Sequence, residues 1–182
     1  MIKKKDTKTR DEKNIIEISQ RAMHRIFILL IILFVSIGAC EDPRLLMEYK
    51  NFADGWPADE KAIFKLNPFS KQEVNMIIYV RNDYRYPFSN LFLIACIRDG
   101  NNILISDTLE YEMTDAKGNW LGSGFMELKE SKLWWKENFE IPDKKTLTAE
   151  IEHAVRSNGS EDGIDRLEGI VGVGLAIEAI SN

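Results

Sequence analysis

Two cysteines, Cys40 and Cys96, are the only thiols in the 182-residue chain, and one of them stands where a thiol can react. Cys40 closes the stretch Ile37-Gly38-Ala39-Cys40, an aliphatic residue and two small ones ahead of the sulfur. Small side chains give a signal peptidase room at the bond before the cysteine. The thiol can then carry a diacylglycerol, and the freed amino terminus an acyl chain. Several chains at ~0.8 kcal/mol per buried methylene hold a protein on a membrane, which a single chain does not. Cys40 is the expected lipid acceptor. The diacylglycerol and N-acyl lipid are the only added groups expected, with no cofactor and no metal. Cys96 lies in Leu91-Phe92-Leu93-Ile94-Ala95-Cys96-Ile97 and is expected as a buried free thiol acting as a small hydrophobe.

Catalytic chemistry finds little support. His24 precedes Cys40, so His153 is the one histidine beyond it, on the apolar side of an alternating stretch. A core histidine satisfied by a neighbour is expected there rather than a base. Gly122-Ser123-Gly124 lacks the spacing of a hydrolase elbow. Gly169-x-x-Gly172-x-Gly174 lies in a strand pattern, where glycines mark bulges or close backbone approach. Glu161-Asp162-Gly163-Ile164-Asp165 offers hard oxygen ligands, but its spacing matches no calcium loop, and a solvated loop is expected. No catalytic residue is assigned, and the chain is expected not to be an enzyme.

Binding is better served. Arg81-Asn82-Asp83-Tyr84-Arg85-Tyr86-Pro87-Phe88-Ser89-Asn90 is dense in rings and guanidinium groups, which interfaces use. Arg81, Tyr84, Arg85, Tyr86, Phe88 and Asn90 are the candidate partner-binding residues. The competing reading is a packed corner, with tyrosine hydroxyls capping backbone and Pro87 stiffening the loop. Trp120, Trp134 and Trp135 pose the same question; the last two point to opposite faces if extended, so one is expected outside the core. Exposed rings would also suit sugars, so carbohydrate binding is the alternative function. Asp107-Thr108-Leu109 resembles a short bacterial O-glycosylation motif, but three residues match by chance and a plain strand is expected.

The leader must deliver Cys40 to a membrane. Ile26–Ile37 is apolar except for Ser36 and falls short of the ~18–20 residues that span a bilayer. Behind Arg21 and Arg25 it reads as the core of an export signal. With its small-small-Cys ending, it resembles the lipobox segment of bacterial lipoproteins. Met23-His24-Arg25 would begin a compact signal, so Met23 is an expected start. Residues 1–40 carry 8 basic and 4 acidic side chains, which leaves 16 and 25 of the chain's 24 and 29 for the body. An acidic body without a basic patch excludes nucleic acid as a partner. Glu41-Asp42 after the cysteine suits either a surface-export tag or an inner-membrane retention tag, and the two readings stay open.

The expected organisation is a signal peptide over 1–39, a lipidated N-terminus and tether over 40–59, and one domain over 60–182. That domain alternates with period two. Val74, Met76, Ile78 and Val80 share one face, as do Leu109, Tyr111 and Met113. Leu147, Ala149, Ile151, His153 and Val155 repeat the pattern, and so do Val171, Val173, Leu175, Ile177 and Ala179. Leu91–Ile97 is apolar on both faces, as a doubly covered central strand would be. Ala62–Leu66 and Phe139–Ile141 read as edge strands. Asp99-Gly100-Asn101-Asn102 makes a hairpin, Lys117-Gly118-Asn119 a turn, and Ser157–Gly163 a polar loop. The sum is all-β, an antiparallel β-sandwich of roughly seven to eight strands.

Several segments together resemble a known family. These are Arg81-Asn82, Tyr86-Pro87-Phe88-Ser89-Asn90-Leu91, Asp107-Thr108 and Gly118-Asn119-Trp120-Leu121-Gly122-Ser123-Gly124, behind the lipobox. The sequence from Ile26 onward is similar to the GldH family of gliding-motility lipoproteins. The resemblance implies an outer-membrane lipoprotein, on the periplasmic or the surface side, and carries over Cys40 as the lipid acceptor. It implies association with other Gld lipoproteins and with type IX secretion, in a structural or interaction role.

Overall fold

The computed structural model describes Met23, Phe27, 43–66, 73–143, 147–156 and 163–180. The chain forms two units, Met1–Asp42 and Pro43–Asn182. In the first, Met23 and Phe27 are helical; the rest of the expected signal segment and Cys40 lie outside the described residues. No helix among the described residues is long and apolar enough to cross a membrane.

The second unit is built of strands: β1 (Arg44–Asn51), β2 (Trp56–Pro57), β3 (Ala62–Lys65), β4 (Glu73–Asn82), β5 (Asn90–Asp99), β6 (Asn102–Glu112), β7 (Lys129–Glu140), β8 (Leu147–His153), β9 (Arg166–Leu167) and β10 (Ile170–Ala179). One sheet has the order β1-β10-β4-β7 and the other β3-β8-β5-β6, with β2 and β9 as a small separate pair. All named pairings are antiparallel.

The period-two pattern explains the two layers. Val74, Met76, Ile78 and Val80 of β4 face Leu93, Ala95 and Ile97 of β5 and Ala149 and Ile151 of β8 in one buried core, with Val173, Leu175 and Ile177 of β10. At ~1.5–3 kcal/mol per large apolar side chain, this burial is the main force holding the sheets together. The hairpin at Gly100 and the turn at Gly118 form as expected, both with positive φ (57° and 83°).

Three expectations are corrected. Arg44–Asn51, inside the stretch read as a tether, is a full strand paired with β10 from Arg44↔Glu178 to Asn51↔Gly172. Its edge position and charged residues hid the pattern, because only Leu46 of this strand reaches the core. The body therefore starts at Pro43, not at residue 60. Phe139 is not a separate edge strand but the end of β7, which a bulge with Asn138 in left-handed geometry (φ 48°) bends. β5 is central, but its outward side is only flanked: Lys61 bridges Glu150 and Glu152 on β8, beside Ile94 and Cys96. Cys96 is buried and free, with Sγ 3.3 Å from Ser106 Oγ.

The strand ladders give the sandwich two distinct ends. Arg44, Glu178, Val74 and Phe139 lie level at one end of the first sheet, and Asn51, Gly172, Arg81 and Glu130 at the other. At ~3.3 Å per residue, β1 separates them by ~23 Å. One flank is closed by β6 and β7, which sit in different sheets. Tyr111 Oη donates to the Trp134 carbonyl (2.7 Å), and Asp107 accepts from Trp135 Nε1 (2.9 Å) and pairs with Lys136 (3.0 Å). Burial raises the Tyr111 phenol to about 12, so it stays a donor at physiological pH.

Candidate functional site

The Arg81–Asn90 segment divides between two roles. Tyr86 is only 3% exposed, its ring packed against Phe88 and Trp120, and its hydroxyl donates to the Asn90 carbonyl (2.6 Å). Burial pushes its phenol well above the usual range. Phe88 packs on the core. Asn90 bonds Glu110 across the β5–β6 ladder (3.0 Å). Tyr86 sits in a packed corner, its ring buried and its hydroxyl on backbone, and Phe88 is partly buried against the same core. Tyr84 is 68% exposed. Arg85 is turned back on Asp83 through two short bonds and holds that carboxyl below its ordinary range. Tyr84 and Arg85 form the accessible tip.

Arg81 is not on the loop at all. It is the last but one residue of β4, on the outer face of the first sheet and opposite Glu130 of β7. Its Nε lies 2.6 Å from Glu130 Oε2, and its guanidinium sits 3.8 Å over the Tyr49 ring. Tyr49 Oη also donates to Glu130 (2.9 Å), and burial, then Glu130, raises that phenol to about 12. Tyr79 stands beside Tyr49 at 6.4 Å between ring centroids. Gly174 makes room: a Cβ there would meet the Tyr49 ring at 2.6–3.0 Å. The sequence reading missed Tyr49, Tyr79 and Glu130. Only Tyr79 carried a signal, as an outward position of the alternating β4; Tyr49 and Glu130 lie on β1 and β7, whose patterns are not clean.

The tryptophans divide as the alternation requires. Trp134 is 45% exposed and Trp135 7%. Trp120 lies against Tyr86, and Trp56 is wholly buried. Asn82, the partner of Arg81 in the sequence motif, is also wholly buried. The motif glycines make close approaches: a Cβ on Gly122 would lie 2.8 Å from Ser131 Oγ, and one on Gly124 would collide with the Leu128 carbonyl. The segments that carry the family resemblance are thus mostly turn and core residues.

His153 is buried at the end of β8. Its Nε2–H donates to the Trp56 carbonyl (3.1 Å), and Nδ1 has no partner. Burial lowers its pKa. Below about pH 6.5 the unfolded chain therefore takes up a proton that the folded chain refuses, and stability falls as pH falls. The expected slope between that point and the folded pKa is at most ~1.4 kcal/mol per pH unit, absent in a His153→Gln variant, as urea denaturation at pH 7.0, 6.0 and 5.5 would read.

Among the described residues no group of three His, Cys, Asp or Glu side chains could hold a metal ion. Glu161 and Asp162 lie outside them. The arrangement is that of a β-sandwich with a pinned corner and an outward aromatic cluster. The chain belongs to the GldH lipoprotein family, whose family model matches residues 44–177. It is 44% identical over 158 residues to a protein of Christiangramia forsetii named "Gliding motility lipoprotein GldH homolog", covering 86% of this chain and 95% of that one. It is 36% identical over 151 residues to "Gliding motility lipoprotein GldH" of Flavobacterium johnsoniae, covering 82% and 94%. No solved structure matches. Membership makes this a membrane-anchored lipoprotein of gliding motility.

Proposed function

We propose that the chain is an outer-membrane lipoprotein held by lipid on Cys40, whose sandwich serves as a structural and interaction component of the gliding machinery. Its partners on this reading are other Gld lipoproteins and the type IX secretion apparatus. One observation carries the anchoring: the first strand begins at Arg44, with Glu41, Asp42 and Pro43 alone between it and Cys40. At ~3.5 Å per residue, lipid on Cys40 would hold the Arg44 end of the body within ~14 Å of its attachment point. The opposite end, with Tyr84 and Arg85, is then the end presented to partners. A Cys40→Ala chain is expected to lose palmitate labelling and leave the membrane fraction, with gliding lost. Membrane recovery and labelling unchanged from the parent would overturn the assignment.

A carbohydrate-binding reading draws on a different observation. Tyr49, Tyr79 and Trp134 hold outward positions on three of the four strands of one sheet, with Arg81, Glu130 and Lys132 among them. Rings and charged donors on a flat sheet suit sugar stacking. Quenching of Trp134 fluorescence by oligosaccharides, absent in Trp134→Phe, would favour it.

A further inference from the structure

We propose that the loop between β6 and β7 is a docking knob for a protein partner that offers an apolar cleft with a basic rim. Leu121, Phe125, Met126 and Leu128 all point to solvent, Phe125 at 85% and Met126 at 79% exposure. Single exposed apolar residues are ordinary, whereas four within eight positions mark an interaction site.

The loop is built to hold them out. Leu121 N–H donates to the Met113 carbonyl (2.9 Å). Ser123 and Glu130 exchange two backbone bonds (3.0 and 2.7 Å). Lys129 Nζ donates to the Gly124 carbonyl (3.3 Å). Asp115 pins the preceding turn by accepting from the Lys117 and Asn119 amides (2.8 and 2.9 Å). Met126 itself sits at φ 57°, a left-handed conformation that disfavours a side chain. The chain thus spends hydrogen bonds and strain on a shape whose visible result is an exposed Phe-Met tip.

Two observations choose a protein over a lipid surface. The knob leads into Lys129 and Glu130, level with Asn51, whereas the strand nearest Cys40 starts at Arg44, at the other end of the sheet. This step rests on lipid at Cys40: an anchor there turns the knob away from its own leaflet. Glu127 also stands between Met126 and Leu128 with no ion-pair partner among the described residues. A carboxylate inside the apolar tip resists insertion among anionic headgroups and calls for a lysine or arginine opposite.

The test is photocrosslinking of the full chain in its native membrane, with a benzophenone side chain at Phe125 and a control at Asn101 in the β5–β6 hairpin. The expected result is one protein adduct from Phe125, absent at Asn101. Its crosslinked peptide should hold apolar residues beside Lys or Arg, and its yield should fall at least about tenfold in Glu127→Lys. A lipid adduct, a dimer of this chain, an adduct insensitive to Glu127→Lys, or no adduct would each overturn the proposal. Membrane recovery of the same sample reads the anchoring separately: a chain in the membrane without a Phe125 adduct fails on the knob alone.

Discussion

A Trp56→Ala chain is expected to lose about 4 kcal/mol of folding stability, with a melting temperature about 15 °C lower. Trp56 is wholly buried, stacked on Phe52 at 5.3 Å and meeting the edge of His153 at 5.3 Å. Its indole N–H donates to the Glu60 carbonyl at 2.6 Å. Removing the indole opens a cavity between these rings and leaves that carbonyl without its donor, so two costs add. The neighbouring strand pair is short, Trp56↔Leu167 and Pro57↔Arg166, and has little else to hold it. The cavity beside the imidazole should also let water reach His153 and relieve the burial that lowers its pKa, so the acid slope of stability should shrink. Denaturant melts at pH 7.0 and 5.5 measure both effects, and a loss under about 1 kcal/mol would show that this corner is not part of the cooperative core.

The second large effect is expected at Gly169, where Gly169→Ala should cost about 3 kcal/mol. This residue has φ 76°, and a Cβ would run into the Tyr86 backbone nitrogen and lie 2.6 Å from its Cα. Both obstacles are backbone atoms, so no side chain can swing aside. The Gly169 carbonyl also accepts from the Asp83 amide at 2.8 Å, which ties the corner to the turn before β10. The substitution should therefore expel the Asp83–Phe88 corner and make it sensitive to protease at Arg85, while Gly100→Ala, with open space around its Cβ position, costs less. Equal melting temperatures for the two variants would contradict this account.

These predictions show what was legible in the sequence. Val74, Met76, Ile78 and Val80, and Leu147, Ala149 and Ile151, announced their strands because these positions are apolar and buried on one side of each. β1 did not, because an edge strand with Lys50, Glu48 and Arg44 offers no clean alternation. β7 was half hidden for a different reason: its core side holds polar Ser131 beside Leu133 and Trp135, and its outer side holds Trp134 between the lysines. At the candidate site, composition drew attention to the rings of Arg81–Asn90 but could not tell a ring that fills the core from one that faces out. Tyr86 and Tyr84, two positions apart, took opposite fates because the first reaches back to Asn90 and the second has nothing to reach. The Tyr49–Arg81–Glu130 group joins residues up to 81 positions apart, so only pairing of the strands brings it together.

The closure of β6 against β7 bears on how such a protein can be stored at a surface. Anchored molecules share a thin layer, where neighbours meet far more often than in solution, and an open strand edge would invite them to zip into a continuous sheet. With the Trp134 carbonyl taken by Tyr111 and Asp107 locked to Trp135 and Lys136, that flank offers a neighbour little to join. Crowding can thus raise the number of molecules per patch of membrane without strand pairing along that flank, and β1 and β3 are left as the remaining edges.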